Sequence, residues 1–176
     1  MLPSLGRRLD RLERRREELL GRVAPLGAEQ LAYRPGPERW HVLDILEHLI
    51  IIEERVLGAV GTRPGPLPAA ERLRGALRLA GLRLYLRSGG KIRAPTRAIL
   101  PQGGVGLAEL RERWDRARAG YRTALEAFDR TDLLRPMMKH PVIGKLTPTQ
   151  TLAFLDAHLA HHGRQIERLR QTLTRV

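Results

Sequence analysis

The sequence predicts an all-α protein, and three observations support this prediction. Apolar residues recur at spacings of three and four along most of the 176-residue chain, which is the period of an amphipathic helix. Stretches rich in proline and glycine, which end helices, separate the periodic segments. No alternation of apolar and polar residues is long enough to indicate a substantial β-strand. We therefore expect an antiparallel bundle of five helices, with mostly short turns and one or two longer crossovers.

Three helices are predicted in the N-terminal half. The first runs from about Leu5 to Val23 and carries arginine and glutamate on its polar face. The second runs from about His41 to Leu57, between two segments that contain Pro and Gly, "RPGP" and "GTRPGPLP". The third runs from about Ala69 to Arg87 and ends at "SGG". Four apolar residues share one side of this third helix: Leu73, Leu77, Ala80 and Leu84.

Two further helices are predicted in the C-terminal half. The fourth begins near Leu107, and its expected buried face consists of Leu110, Trp114, Ala117, Tyr121, Leu125 and Phe128. The fifth begins at "TPTQ", where Thr147 is the expected N-cap, Pro148 the first helical residue and Gln150 the partner in a capping box. "HPVIGKL" before it is predicted to be a turn. Residues 89–106 lack periodicity, and so long a loop is more often functional than idle.

Composition limits the class of protein. A length of 176 residues suits one domain, predicted to be residues 1–176. The chain has no cysteine, so disulfides and thiolate metal sites are excluded and any metal ligand must be imidazole, carboxylate or carbonyl. The N-terminus is charged and resembles no signal peptide, and no segment is apolar enough to span a membrane. A cytoplasmic location is therefore expected.

The net charge of +13 has two interpretations. It could attract nucleic acid or another anionic partner, or it could reflect an arginine-rich composition with no such partner. The arginines are spread along every segment, usually beside glutamates, and the three tyrosines are scattered, so no aromatic platform for stacking bases is apparent. Nucleic-acid binding is therefore not favoured, although a non-catalytic basic helical module remains the main alternative to an enzyme.

The last helix carries three of the chain's six histidines, His158, His161 and His162. Its apolar seam is formed by Leu152, Leu155, Leu159, Ile166, Leu169 and Leu173. His162 occupies the centre of this seam, and His158 lies four residues earlier on the same face. Two such imidazoles can bind one divalent ion. His161 lies about 100° around the helix, and with His158 it would form a rival ligand pair.

The second helix offers a third ligand. Its apolar face consists of Val42, Ile45, Leu49, Ile52 and Val56, while Asp44, Glu47 and Glu54 are expected on the solvent-facing side. His48 lies between Ile45 and Ile52 in helical projection and should point inward. A histidine there is either a hydrogen-bonded core residue or a ligand. Together with the pair on the last helix, it predicts a three-histidine metal centre.

Three motifs, "WHVLDILEHL", "HPVIGKLTPTQ" and "HLAHHGRQI", resemble those of the DinB-like superfamily of metal-dependent enzymes, from Trp40 to about Leu169. The resemblance implies a four-helix bundle in up-down-down-up order with an additional peripheral helix. It also implies a divalent ion (nickel, zinc or iron) held by His48, His158 and His162. Family activities include thiol transfer and thiol-dependent isomerisation, so a small-molecule substrate such as a low-molecular-weight thiol is expected. A homodimer is plausible for this fold, and some members lack metal.

The resemblance leaves the roles of three residues open. His41 stands where the family commonly has Ser or Thr as the helix N-cap, so it is either a poorer cap or a residue at the pocket mouth. His140 either lines the site or contacts solvent and backbone. Gln165, one turn beyond His162, either bonds a substrate or water or completes the core edge. Three neutral imidazoles would leave a coordination position open for water, thiolate or substrate, as in catalytic sites. A thiol transferase and a hydrolase both fit this arrangement.

Overall fold

The computed structural model describes residues 1–37, 39–61, 64–90 and 96–173, with the side chain of Leu173 excluded. Within these residues the chain is mostly helical, as predicted. The helices are α1 (Pro3–Val23), α2 (Ala28–Ala32), α3 (Val42–Val60), α4 (Ala69–Arg87), α5 (Leu107–Glu126) and α6 (Pro148–Leu173). Two strands, β1 (Met138–His140) and β2 (Gly144–Leu146), form an antiparallel hairpin. Part of the predicted loop, residues 91–95, lies outside the described residues.

Two short elements differ from the prediction. Helix α2 has five residues, too few to show a helical period, and its start is fixed by the Gln30 Oε1, which accepts from the Gly27 N–H at 3.0 Å. The segment predicted to be a turn forms the β1–β2 hairpin, in which each strand has only three residues. Gly144 starts β2 with a φ of +93°, a conformation that side chains rarely allow. Neither element is long enough for its apolar pattern to be recognised.

Helix α6 packs against most of the other long helices. It packs against α1, α3 and α4, while α5 packs against α3 and α1. The seam predicted for α6 is buried from Leu152 to Leu169. The predicted capping box is also present, because the Thr147 N–H donates to Gln150 Oε1 at 3.0 Å and the Gln150 N–H donates to Thr147 Oγ1 at 3.4 Å. None of the described helices has the length and apolar character that crossing a membrane requires.

Two of the three carboxylates expected on the solvent-facing side of α3 were predicted wrongly. Asp44 and Glu47 are each only 3% exposed, although both were expected to face solvent. Asp44 accepts from the backbone N–H of His41 and pairs with Arg34 at 2.9 Å. Glu47 Oε2 accepts from the backbone N–H groups of residues 102–103 at 3.0 and 2.9 Å. Burial of these carboxylates is tolerated because donors satisfy them, and the Glu47 contacts attach the loop to α3.

Helix α4 turns its leucine-rich side outward. Leu73, Leu77 and Leu84 do share one side, but they are 61%, 65% and 71% exposed. The buried side contains Gly75, where a Cβ atom would lie 3.3 Å from the carbonyl oxygen of Lys145. The missing side chain lets the α4 backbone approach the hairpin, and this approach fixes which side of α4 faces inward.

Candidate metal centre

The structure brings His48, His158 and His162 together, although His48 lies on α3 and the other two lie on α6. One nitrogen from each ring lies within 4.8 Å of a nitrogen from each of the other two. The Nε2 atoms of His48 and His158 are 3.3 Å apart across a sequence separation of 110 residues. The ring centroids are 4.6 to 5.2 Å apart. All three rings therefore converge on one small volume.

Hydrogen bonds at the far side of two rings fix their orientation. The Nδ1–H of His48 donates to the backbone oxygen of Ile99 at 2.7 Å. The Nδ1–H of His162 donates to Gln165 Oε1 at 2.9 Å. We assign these tautomers because neither acceptor carries a proton. Each bond leaves the Nε2 lone pair free, which is how supporting groups hold metal-binding histidines. From the sequence, Gln165 was expected either as a partner of substrate or water or as a residue of the core edge. This bond to the His162 ring was not predicted.

The separation of the ring nitrogens fits a bound cation. Two imidazole nitrogens bonded to one ion at 2.0–2.1 Å in tetrahedral geometry stand about 3.3 Å apart, which matches the distance between His48 and His158. Two nitrogens this close require a proton or a cation between them. Without an ion His158 Nε2–H must donate, because His48 has already committed its proton to Ile99. The donor set therefore suits a divalent ion.

All three imidazoles are neutral near pH 7 and can offer lone pairs. Burial, with a smaller contribution from the neighbouring His48, lowers the pKa of His162 to about 3. Burial is also the main reason that the pKa of His158 lies well below its usual range. The pKa of His48 is lowered by burial, with partial compensation from its bond to Ile99. Metal binding requires unprotonated imidazole, so this environment favours binding.

The remaining histidines near the site have other contacts. His161 donates its Nδ1–H to the carbonyl oxygen of Leu86 on α4 at 3.2 Å, so the rival pair of His158 and His161 does not converge with His48. His41 is the N-cap of α3, where its Nδ1 accepts from the Asp44 N–H at 3.0 Å. His140 lines the adjacent cavity and accepts backbone N–H groups within its own hairpin. Both roles considered for His140 are therefore present.

Trp40 covers the histidines from outside α3. Its ring centroid is 4.9 Å from that of His48 and 6.3 Å from that of His162. The aromatic ring shields two of the three imidazoles from solvent, which contributes to their lowered pKa values. Sequence reasoning used Trp40 only as part of a motif and missed this contact. A tryptophan eight residues before His48, ahead of the helix start, gave no periodic signal.

A cavity of about 370 Å³ opens beside the three rings. Its wall comes from one face of α3, from α4, from the hairpin and from α6, and Ile99 in the predicted functional loop completes it. Ile52 and Val56 of α3, Leu82 of α4 and Phe154 of α6 make much of this wall apolar. The volume lies within the range of small-molecule sites. A molecule larger than water can therefore reach the ring nitrogens.

A buried ion pair supports α3 on the side away from the cavity. Glu53 is 2% exposed and pairs with Arg118 of α5 at 2.9 Å. Burial raises the pKa of the Glu53 carboxyl, and the adjacent Arg118 opposes that rise. Tyr121 donates its hydroxyl hydrogen to the backbone oxygen of Glu53 at 2.8 Å. These contacts attach α3, and with it His48, to α5.

Comparison with known proteins found one matching family model and one relative. The model of the DinB superfamily matches residues 11–166, which confirms the resemblance seen in the sequence. A relative described as "Uncharacterized protein YuaE" from Bacillus subtilis (strain 168) is 23% identical over 161 residues, or 92% of this chain and 96% of the relative. No solved structure matches the chain significantly.

Proposed function

Because the chain belongs to the DinB superfamily, we propose that it is a metal-dependent enzyme in which His48, His158 and His162 hold one divalent ion. The family includes metal-binding members. The observation that supports the proposal most strongly is the convergence of three ring nitrogens within 4.8 Å beside a cavity. Nickel, zinc and iron all accept imidazole ligands, so each is a candidate. When bound, such an ion would act as a Lewis acid and lower the pKa of a water or thiol.

The chain's own residues would orient the ligands and accept a proton. Ile99 and Gln165 hold two of the rings. No aspartate or glutamate lines the cavity among the residues that the structure describes. His161 is a suitable proton acceptor, because its Nδ1–H is committed to Leu86 and its Nε2 keeps a lone pair. We propose that His161 Nε2 takes the proton lost by a water or thiol nucleophile during hydrolysis or thiol transfer.

Metal titration tests the first part of this proposal. Protein purified without added metal and titrated with nickel or zinc should take up one equivalent, measured by elemental mass spectrometry. His48→Ala, His158→Ala and His162→Ala should each lose this uptake, because two imidazoles hold an ion far less firmly than three. His161→Ala is the matched control and should keep one equivalent. Uptake below about a tenth of an equivalent by the unaltered protein would contradict the proposal.

We further propose that α1, α3, α5 and α6 form the four-helix bundle in up-down-down-up order, with α4 as the peripheral helix. The packing of α1 on α6, α6 on α3, α3 on α5 and α5 on α1 supports this arrangement. One domain over residues 1–176, a cytoplasmic location and a homodimer remain predictions. A small organic substrate, such as a low-molecular-weight thiol, suits a cavity of about 370 Å³.

The main alternative is a non-catalytic module that binds nucleic acid. Several arginines of the described chain are engaged in ion pairs, among them Arg16, Arg113 and Arg118, so part of the positive charge is already neutralised. Salt-dependent DNA binding that is unchanged in His48→Ala would favour this alternative. A metal-free member of the fold is a second alternative, and it predicts that His162→Leu stabilises the protein.

A further inference from the structure

The charges around the cavity have only one sign. Arg55 on α3 and Lys139 on β1 are the only charged side chains that line it within the described part of the chain. Both side chains are exposed, so they lie at the mouth and not beside the histidines. Among the described residues neither has an ion-pair or hydrogen-bond partner, whereas Arg113 and Arg118 are paired with glutamates. The mouth therefore carries two uncompensated positive charges.

Lys139 occupies an unfavourable position for a cation. It lies directly opposite Lys145 in the two-stranded hairpin, and like charges in directly opposed positions destabilise a strand pair. No described acidic side chain lies in the cavity wall to offset them. An anion bound at the mouth would reduce this repulsion.

His140 adds a third hydrogen-bond donor to the wall. Its Nδ1 accepts the backbone N–H groups of Val142 and Ile143 at 3.1 and 3.2 Å. The neutral ring therefore carries its proton on Nε2, and the unused nitrogen of the ring is a donor and not an acceptor. Arg55, Lys139 and His140 thus all offer N–H groups, which match the oxygens of an acid group.

The deeper wall of the cavity is apolar, in contrast to its cationic mouth. Ile52 and Val56 from α3, Leu82 from α4 and Phe154 from α6 present hydrocarbon to the cavity. A ligand that fills this space must bury an apolar body against these side chains, because they offer no side-chain hydrogen bonds. The cavity therefore combines an apolar interior with a cationic mouth.

We propose that the cavity binds a small organic anion, with its carboxylate or phosphonate-like group held by Arg55 and Lys139 and its apolar body packed against Ile52, Leu82 and Phe154. This inference extends the proposed function, since it assigns a substrate class to the same site. It is nevertheless separable from metal binding, because the two cations are not among the residues that would hold the ion.

Four probes with the same phenylalkyl body test the inference. Isothermal titration calorimetry of the nickel-loaded protein would compare 4-phenylbutanoate, 3-phenylpropylphosphonate, 4-phenylbutanol and 4-phenylbutylamine at low ionic strength. At least one acid should bind about tenfold more tightly than the alcohol and the amine, because charge-assisted hydrogen bonds are stronger than neutral ones. Whichever of the two acids binds more tightly identifies the preferred acid group.

Paired substitutions separate the mouth from general surface charge. Arg55→Gln with Lys139→Gln should abolish the preference for the acid to within about twofold, while nickel stoichiometry stays at one equivalent. The matched control is Arg74→Gln with Arg83→Gln, which removes two exposed cations outside the cavity wall and should preserve the preference. Equal binding of acid and alcohol, or equal effects of both double variants, would overturn the inference.

The same titrations distinguish this inference from the metal proposal. One equivalent of nickel without any preference for acids would leave the metal centre intact and refute the anion site. A preference for acids that depends on Arg55 and Lys139, in a protein that takes up no nickel, would support the anion site and refute the metal centre.

Discussion

Replacing Gln165 with leucine tests whether the bond behind His162 supports metal binding. Gln165 Oε1 accepts from His162 Nδ1–H at 2.9 Å, and this bond is the only contact of that nitrogen among the described residues. Leucine keeps a similar volume but removes the acceptor, so the ring loses both its fixed orientation and part of its basicity. Loss of such a supporting bond weakens metal affinity about 10- to 100-fold, or about 1.4 to 2.7 kcal/mol.

Gln165→Glu provides the opposite perturbation. A carboxylate acceptor makes the imidazole a stronger ligand than an amide does, so we expect metal affinity to equal or exceed that of the unaltered protein. Gln171→Leu is the matched control, because Gln171 also lies on α6 but is exposed and bonds to Glu167. This control should leave the affinity unchanged.

Competition with a colorimetric zinc chelator would measure the three dissociation constants. We expect Gln165→Leu to bind zinc most weakly, Gln171→Leu to match the unaltered protein and Gln165→Glu to bind zinc at least as tightly as the unaltered protein. The supporting role assigned to Gln165 would be refuted if the dissociation constant of Gln165→Leu lay within twofold of that of the unaltered protein while His162→Ala lost the metal.

Three further predictions concern stability and association. The metal-free protein should lose stability as the pH falls from about 6.5 towards 3. Over this range His162 becomes protonated in the unfolded chain but stays neutral in the folded protein, where its pKa is about 3. Urea unfolding should show a loss approaching about 4 kcal/mol from this residue, and a flat profile over that range would contradict it. Arg118→Met should cost about 3 to 5 kcal/mol by leaving Glu53 buried without its partner, and a second change, Glu53→Gln, should recover part of that cost; no recovery in thermal unfolding would be evidence against the pairing. If the exposed stripe on α4 mediates the predicted homodimer, Leu77→Gln should shift sedimentation towards the monomer, and an unchanged profile would remove α4 from consideration.

The main helices were predictable because their apolar seams are long. The α6 seam spans more than four turns, and its interruption at His162 singled out a polar group in a buried stripe. The side of α4 that faces inward was not predictable from its leucines. It depends on Gly75, whose missing side chain lets the α4 backbone approach the hairpin. A glycine does not contribute to the apolar periodicity from which buried faces are predicted.

The carboxylates of α3 illustrate a second limit. Asp44 and Glu47 occupy positions where the helical pattern predicts solvent exposure. Both are nevertheless buried, because backbone N–H groups of residues outside α3 donate hydrogen bonds to their carboxylates. These donors come from the residue that caps α3 and from a loop about 55 residues away. The partner of Asp44 is only three residues away, but local pattern cannot show the long-range partner of Glu47.

The convergence of the three histidines was predictable from the sequence, but the contacts that support their rings were only partly so. Spacing placed His158 and His162 on one face of the last helix and His48 on the inward face of the second, and the family resemblance implied the same three residues. Gln165 stands three residues after His162, a spacing that allows side-chain contact on a helix, so its bond could have been anticipated. The carbonyl of Ile99 could not, because every residue has a backbone oxygen and the surrounding segment has no periodicity.

The most direct test of the account is a crystal structure of the nickel- or zinc-loaded protein, with anomalous scattering recorded at the absorption edge of the metal. We predict one strong anomalous peak within about 2.1 Å of the Nε2 atoms of His48, His158 and His162, with a further coordination position open towards the cavity. A fully loaded protein with no peak between these rings, or with its only peak elsewhere, would contradict the proposed metal centre.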